Sequence, residues 1–177
     1  MMTAPREQLR RFFDWYERHY TLNVAIVACL FLLQLVHLYW LSAEVVSQRL
    51  TGAGHFHLTG VAKFLILIVD YTEIPALLGT SLLYANELRK GFSWKALIFL
   101  IFLNTQWIHL FWITDTFVVN EFAGQAAQST IPGWLAWVAI LIDYLELPVI
   151  FDTLRKFGAS LREQRVSQFL REELAGD

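Results

Sequence analysis

Apolar residues dominate four stretches of the chain, roughly 22–45, 60–85, 95–118 and 133–154. Each is long enough to cross a hydrocarbon layer of about 30 Å at 1.5 Å per residue. The links between them, Gln48 to Thr59, Asn86 to Trp94 and Asn120 to Gly133, carry the Gly, Pro and Asn of turns. Ahead of the first run, residues 6–20 place Leu9, Phe12, Phe13, Tyr16 and Tyr20 at helical spacing opposite arginines and acids. That pattern predicts an amphipathic helix lying in the membrane interface, or packed on the loops of its own bundle. After the last run, Leu161, Phe169, Leu170 and Leu174 partly share one face of a surface helix over 160–174. The prediction is an all-α integral membrane protein, a single membrane domain over 1–177 forming a bundle of four transmembrane helices with amphipathic N- and C-terminal segments.

The polar positions inside the apolar runs come in duplicate. Asp70, Tyr71, Thr72, Glu73, Ile74, Pro75 returns as Asp143, Tyr144, Leu145, Glu146, Leu147, Pro148. A second signature, Gln34-Leu35-Val36-His37-Leu38-Tyr39-Trp40, returns as Gln106-Trp107-Ile108-His109-Leu110-Phe111-Trp112. The chain therefore divides into two tandem helix hairpins, about 22–90 and 95–158, each a Q-x-x-H-L-(Y/F)-W helix followed by a D-Y-x-E-x-P helix. Both hairpins enter the membrane in the same direction, which predicts a pseudo-two-fold axis along the membrane normal.

Charge sets the orientation. Arg6, Arg10, Arg11 and Arg18 precede the first span, Arg89, Lys90 and Lys95 surround the second link, and Arg155, Lys156, Arg162, Arg165 and Arg171 follow the last span. The first link has only Arg49 with Lys63 just inside the next span, and the third has no basic residue. Because basic residues collect on the cytoplasmic side, both termini are expected there, in what is expected to be a bacterial inner membrane. At 56% hydrophobic and 17% charged, the 177-residue chain is too apolar for an ordinary soluble domain of its size. The single cysteine, Cys29, excludes an intrachain disulfide.

Two acids three residues apart share one helix face, and placing them in hydrocarbon costs roughly 2.5–3.5 kcal/mol each on insertion scales. The two hairpins bring His37, Asp70 and Glu73 together with His109, Asp143 and Glu146 at one depth near the middle of the bilayer. Four carboxylates and two imidazoles resemble, as a ligand set, the sites of ferritin-like di-iron and di-manganese proteins. The distribution departs from their Glu-x-x-His pairs, so the resemblance is of a site and not of a family. Two divalent ions would neutralise four ionised carboxylates, and the mixed oxygen and imidazole donors suit iron first, then zinc or manganese.

Around these ligands, Gln34 and Gln106 are placed to hydrogen-bond a ligand or a neighbouring helix, and Trp40 and Trp112 to wall the site from water. Tyr71 and Tyr144 turn about a quarter-turn from the acids and suit packing. Pro75 and Pro148 should kink both helices beside the site.

Three functions fit. The first is an intramembrane dinuclear-metal oxidoreductase acting on a lipid-soluble substrate, with a zinc-dependent hydrolase as its variant. The second is a metal-ion or proton transporter using the same residues. The third is a non-catalytic, metal-stabilised scaffold or sensor. Expected partners are membrane lipids and a lipid-soluble small molecule, with no nucleic acid. Oligomeric state, substrate and the individual catalytic residues are not specified by these patterns.

Overall fold

The computed structural model describes residues 4–56, 60–115 and 133–174, and within them the chain is helical with no strand. The helices are α1 (Ala4–Arg18), α2 (Tyr20–Trp40), a π-helical segment (Leu41–Val46) running into α3 (Ser47–Thr51), α4 (Val61–Tyr71), α5 (Glu73–Lys90), α6 (Trp94–Ile113), α7 (Gly133–Tyr144) and α8 (Glu146–Leu174). Four stretches, Tyr20–Thr51, Phe64–Lys90, Trp94–Ile113 and Trp134–Gln164, are long and apolar enough to cross a membrane. The third link, with Glu121 and Pro132, lies outside the described residues.

Inward and outward faces alternate at helical period. On α2, Val24, Val27, Ala28, Phe31, Gln34, His37 and Leu38 are buried, whereas Leu22, Ile26, Leu33 and Val36 are exposed. On α6, Leu103, Gln106, His109, Leu110 and Ile113 face inward, and Ile98, Ile101, Trp107, Ile108 and Phe111 face outward. An outer surface this apolar suits a bundle solvated by lipid, and helices are the elements that satisfy their backbone there without water. The first pair packs α2 against α4 and α5, and the second packs α6 against α7 and α8. Between the pairs, α2 meets α8 and α5 meets α6. The two histidine-bearing helices thus stand diagonally across the bundle.

Several boundaries differ from the pattern-based expectation. Helix α5 runs on through Asn86 to Lys90, leaving a three-residue link closed by Ser93, whose hydroxyl accepts from the Ala96 amide at 3.3 Å. Residues 160–174 are no separate surface helix but the continuation of α8, since Gly158 alone, at roughly 1 kcal/mol, does not stop a helix. The N-terminal helix ends at Arg18, with His19 alone between it and Tyr20, which opens α2. It also packs on its own bundle: Phe13 and Tyr16 are buried, the Arg89 guanidinium lies 4.8 Å from the centre of the Phe13 ring, and Glu17 pairs with Lys90 at 2.6 Å and accepts from Asn86. Leu9, Phe12 and Trp15 on the other side of α1 remain exposed, as an interfacial helix requires.

Neither D-Y-x-E-x-P helix is merely kinked; each is interrupted. The first breaks at Thr72 and the second at Leu145, between the aspartate and the glutamate of the motif. Proline has no N–H for the carbonyl four residues back and its ring crowds that carbonyl, here those of Tyr71 and Tyr144. The chain resolves this by ending one helix there and starting another, so that Pro75 and Pro148 fall in a first turn where no N–H is required.

A candidate metal centre between the broken helices

Each break places one acid at the C-terminal end of one helix and the other at the start of the next. All six acid and histidine side chains are buried to 3% exposure or less: His37, Asp70, Glu73, His109, Asp143 and Glu146. Asp70 Oδ1 lies 3.4 Å from His37 Nδ1 and 3.7 Å from His109 Nε2. Asp143 lies 3.3 Å from His37 Nε2 through Oδ2 and 3.9 Å from His109 Nε2 through Oδ1. The imidazole rings stand edge to face with centroids 5.8 Å apart. Two groups have ligating atoms within 4.8 Å of one another, His37 with Asp70 and His109, and Glu73 with His109 and Asp143. His109 belongs to both. Glu146 is as deeply buried but belongs to neither.

These side chains do not satisfy one another. Separations of 3.3–3.9 Å exceed the usual 2.7–3.2 Å of a hydrogen bond. Both nitrogens of His37 and of His109, Asp70 Oδ1, Asp143 Oδ2, Glu73 Oε1 and both carboxylate oxygens of Glu146 make no hydrogen bond within the described chain. Buried polar atoms normally have partners, and such a concentration of unsatisfied ones close to each other is a donor set that could accept an ion. Buried His, Asp and Glu groups here could hold a metal ion.

The tryptophans stand where the spacing puts them. Trp40 packs on His37 at 5.9 Å and Trp112 on His109 at 5.8 Å between ring centroids, one turn beyond each histidine. Among the described residues neither glutamine hydrogen-bonds a candidate ligand. Gln34 Nε2 donates to the Val69 carbonyl and to Thr72 Oγ1, each at 3.1 Å, and Gln106 Nε2 donates to the Ile142 carbonyl at 2.9 Å. Val69 and Ile142 are the residues just before the two aspartates, so each glutamine serves a carbonyl exposed by a helix break, the helix-to-helix bond of the two alternatives.

The tyrosines cross between the helix pairs. Tyr71 OH lies 2.7 Å from Thr114 Oγ1, and Tyr144 OH lies 2.5 Å from Ser42 Oγ. Both small hydroxyl residues also donate back to the helix, to the Leu38 carbonyl from Ser42 at 2.7 Å and to the Leu110 carbonyl from Thr114 at 2.8 Å. Neither was singled out by the polar pattern, yet each sits five residues after its histidine, and that shared offset was available as a signal. The π-helical turn at Leu41–Val46 carries Ser42; single π turns recur at functional sites because they re-aim side chains without ending a helix.

Below the glutamates the core turns apolar: Ala76, Leu77, Leu103, Val149 and Ile150 are all buried. Beyond this layer lies a polar cluster in which Asp152 accepts from Tyr84 OH at 2.9 Å and pairs with Lys95 at 2.8 Å and Lys156 at 2.7 Å. Lys156 also reaches Glu87 at 2.5 Å. No protein-family model, curated protein or solved structure matches the chain. Function is accordingly read from the side chains of the site.

Proposed function

We propose that the chain is an intramembrane dinuclear-metal protein, an oxidoreductase that oxidises a lipid-soluble substrate with oxygen or a peroxide as electron acceptor. The observation that carries this reading is the set of buried, unsatisfied imidazole and carboxylate atoms converging from four spans. Ligands held about 2.0–2.2 Å from a common ion at tetrahedral angles lie about 3.3–3.6 Å apart. The closest histidine–aspartate separations, 3.3 and 3.4 Å, fall in that range. Two ions, iron first and zinc or manganese next, would compensate the four carboxylates. The ligands in this reading are His37, Asp70, Glu73, His109, Asp143 and Glu146. Trp40 and Trp112 restrict water, and a site at this depth is reached by molecules that partition into the bilayer. The two hairpins are tandem repeats about an axis normal to the membrane, a reading supported by the reciprocal bonds of Tyr71 to Thr114 and Tyr144 to Ser42. With basic residues at the α1, α5–α6 and α8 ends, both termini face the cytoplasm of a bacterial inner membrane.

One observation favours a second reading, metal-ion or proton transport. Two spans interrupted at the same level, with acids at the breaks, resemble the discontinuous helices that build ion sites in transporters. The buried apolar layer of Leu77, Leu103, Val149 and Ile150 beneath the site weighs against a continuous path.

Metal analysis of the purified protein, combined with visible spectra under anaerobic and aerobic conditions, tests the proposal. Iron bound at about two ions per chain with an oxygen-dependent spectrum supports it. A folded protein free of metal overturns it, and a zinc-only protein with no redox response overturns the oxidoreductase part. Metal-dependent ion flux in proteoliposomes would favour the second reading.

A further inference from the structure

The interrupted spans pose a backbone problem that the two copies of the motif solve differently. In the first copy the Val69 carbonyl receives the Thr72 amide at 3.0 Å, the Thr72 hydroxyl at 2.6 Å and the Gln34 amide at 3.1 Å. In the second copy Leu145 stands where Thr72 stood, and among the described residues the Ile142 carbonyl receives only the Leu145 amide and Gln106, both at 2.9 Å. Both glutamines are buried to 1% exposure or less, three residues before their histidines and on the same helix face. The helix that aims each histidine at the centre therefore also grips the residue preceding the aspartate of its own hairpin.

We propose that Gln34 and Gln106 are positioning residues: each adds a side-chain N–H at the interruption, pins the carbonyl before the aspartate, and thereby sets where Asp70 and Asp143 stand relative to the histidines. The inference rests on the metal-site reading above. It further assigns unequal weight to the two copies. Gln34 is backed by the Thr72 hydroxyl, whereas among the described residues Gln106 is the only side-chain donor to its carbonyl, and a threonine at position 145 would restore the missing hydroxyl.

The test uses the full chain in detergent with Co²⁺ as the probe, reading affinity and visible ligand-field bands together with thermal unfolding, for wild type, Gln34→Leu, Gln106→Leu and Gln106→Leu/Leu145→Thr. Loss of a residue that orients a ligand lowers metal affinity about 10- to 100-fold. Gln106→Leu is expected to reach at least about tenfold and to shift the bands, Gln34→Leu to stay below that, and the double variant to recover most of the loss. If Gln106→Leu does not fold, a double variant that folds and binds Co²⁺ sustains the proposal, and one that also fails to fold overturns it. Equal effects of the two single variants, no recovery with Leu145→Thr, or a loss of stability with unchanged Co²⁺ affinity and bands would each overturn it. A wild-type protein that takes up no Co²⁺ removes the metal reading instead. The carbonyl clamp is then decided by unfolding alone, where it requires wild type above Gln34→Leu above Gln106→Leu, with recovery in the double variant.

Discussion

The Tyr144 hydroxyl lies 2.5 Å from Ser42 Oγ, joining the second D-Y-x-E-x-P motif to the histidine helix of the other hairpin. Tyr71 makes the reciprocal bond to Thr114 at 2.7 Å. Interhelical hydrogen bonds within membranes average about 0.6 kcal/mol and reach about 1.7 kcal/mol. Tyr144→Phe and Tyr71→Phe should each destabilise by an amount in that range, and the double change by about the sum, because the two bonds share no partner. Reversible unfolding in mixed micelles measures it. A loss confined to one tyrosine would show that one crossing bond is dispensable.

The two histidines, interchangeable by motif, are not interchangeable by position. His109 contributes to both groups of close ligating atoms, whereas His37 contributes to one. Under the metal-centre reading, His109→Ala should abolish metal binding and His37→Ala should leave a partly loaded protein, measured as metal per chain after purification. Equal metal content in the two variants would contradict the asymmetry.

Docking of α1 should depend on pH. Burial pushes the Glu17 carboxyl up, but hydrogen bonds from Lys90 and Asn86 outweigh it and hold the group below its ordinary value near 4.3. A depressed folded-state pKa stabilises the docked helix above the unfolded value, and that contribution is lost as pH falls below about 4 and through the folded value. With 31% of the side chain exposed, the effect should be less than about 1 kcal/mol. Hydrogen exchange of residues 9–18 at pH 3.5 and pH 7 should show faster opening at the lower pH, and Glu17→Gln should remove the difference.

Asp152 is the hub of the polar cluster beneath the apolar layer. Asp152→Ala removes the acceptor of the Tyr84 hydroxyl and one partner each of Lys95 and Lys156, while Lys156 keeps Glu87. Hydrogen bonds to charged groups contribute about 1.5–3 kcal/mol, so a loss of about 2 kcal/mol in unfolding free energy is expected. Metal content should not change, since the cluster is separated from the site by Leu77 and Ile150. A variant that keeps its stability but loses metal would tie this cluster to the site.

The four spans were legible in the sequence because lipid demands long apolar runs, and the motif residues were legible because charge inside such runs is costly enough to need a reason. Burial of all six candidate ligands follows from their spacing on the inward faces of α2 and α6 and at the ends of α4, α5, α7 and α8. The breaks at Thr72 and Leu145 were not legible as breaks. Proline tells where a hydrogen bond is lost, but whether the helix bends or restarts depends on its neighbours, here Gln34 and Gln106, which bond the Val69 and Ile142 carbonyls beside each break. The bonds of Tyr71 and Tyr144 escaped the pattern because they join helices far apart in sequence, to hydroxyls whose shared offset from the histidines does not by itself name a partner. The continuity of α8 past residue 154 was hidden because the apolar run ends there and Gly158 follows, while the helix runs on.

That last helix has a mechanical consequence. From Glu146 to Leu174 it is 29 residues long, a rod of about 43 Å. Its base is the break at Leu145, two residues from Asp143 and beside the candidate metal centre. A stiff arm of this length magnifies whatever happens at its root: a tilt of about 10° at the base would carry the far end through about 7 Å. Because Val149, Ile150 and Thr153 seat its first turns in the core and Lys156 pairs with Glu87, such a tilt would have to carry the packing of the bundle with it.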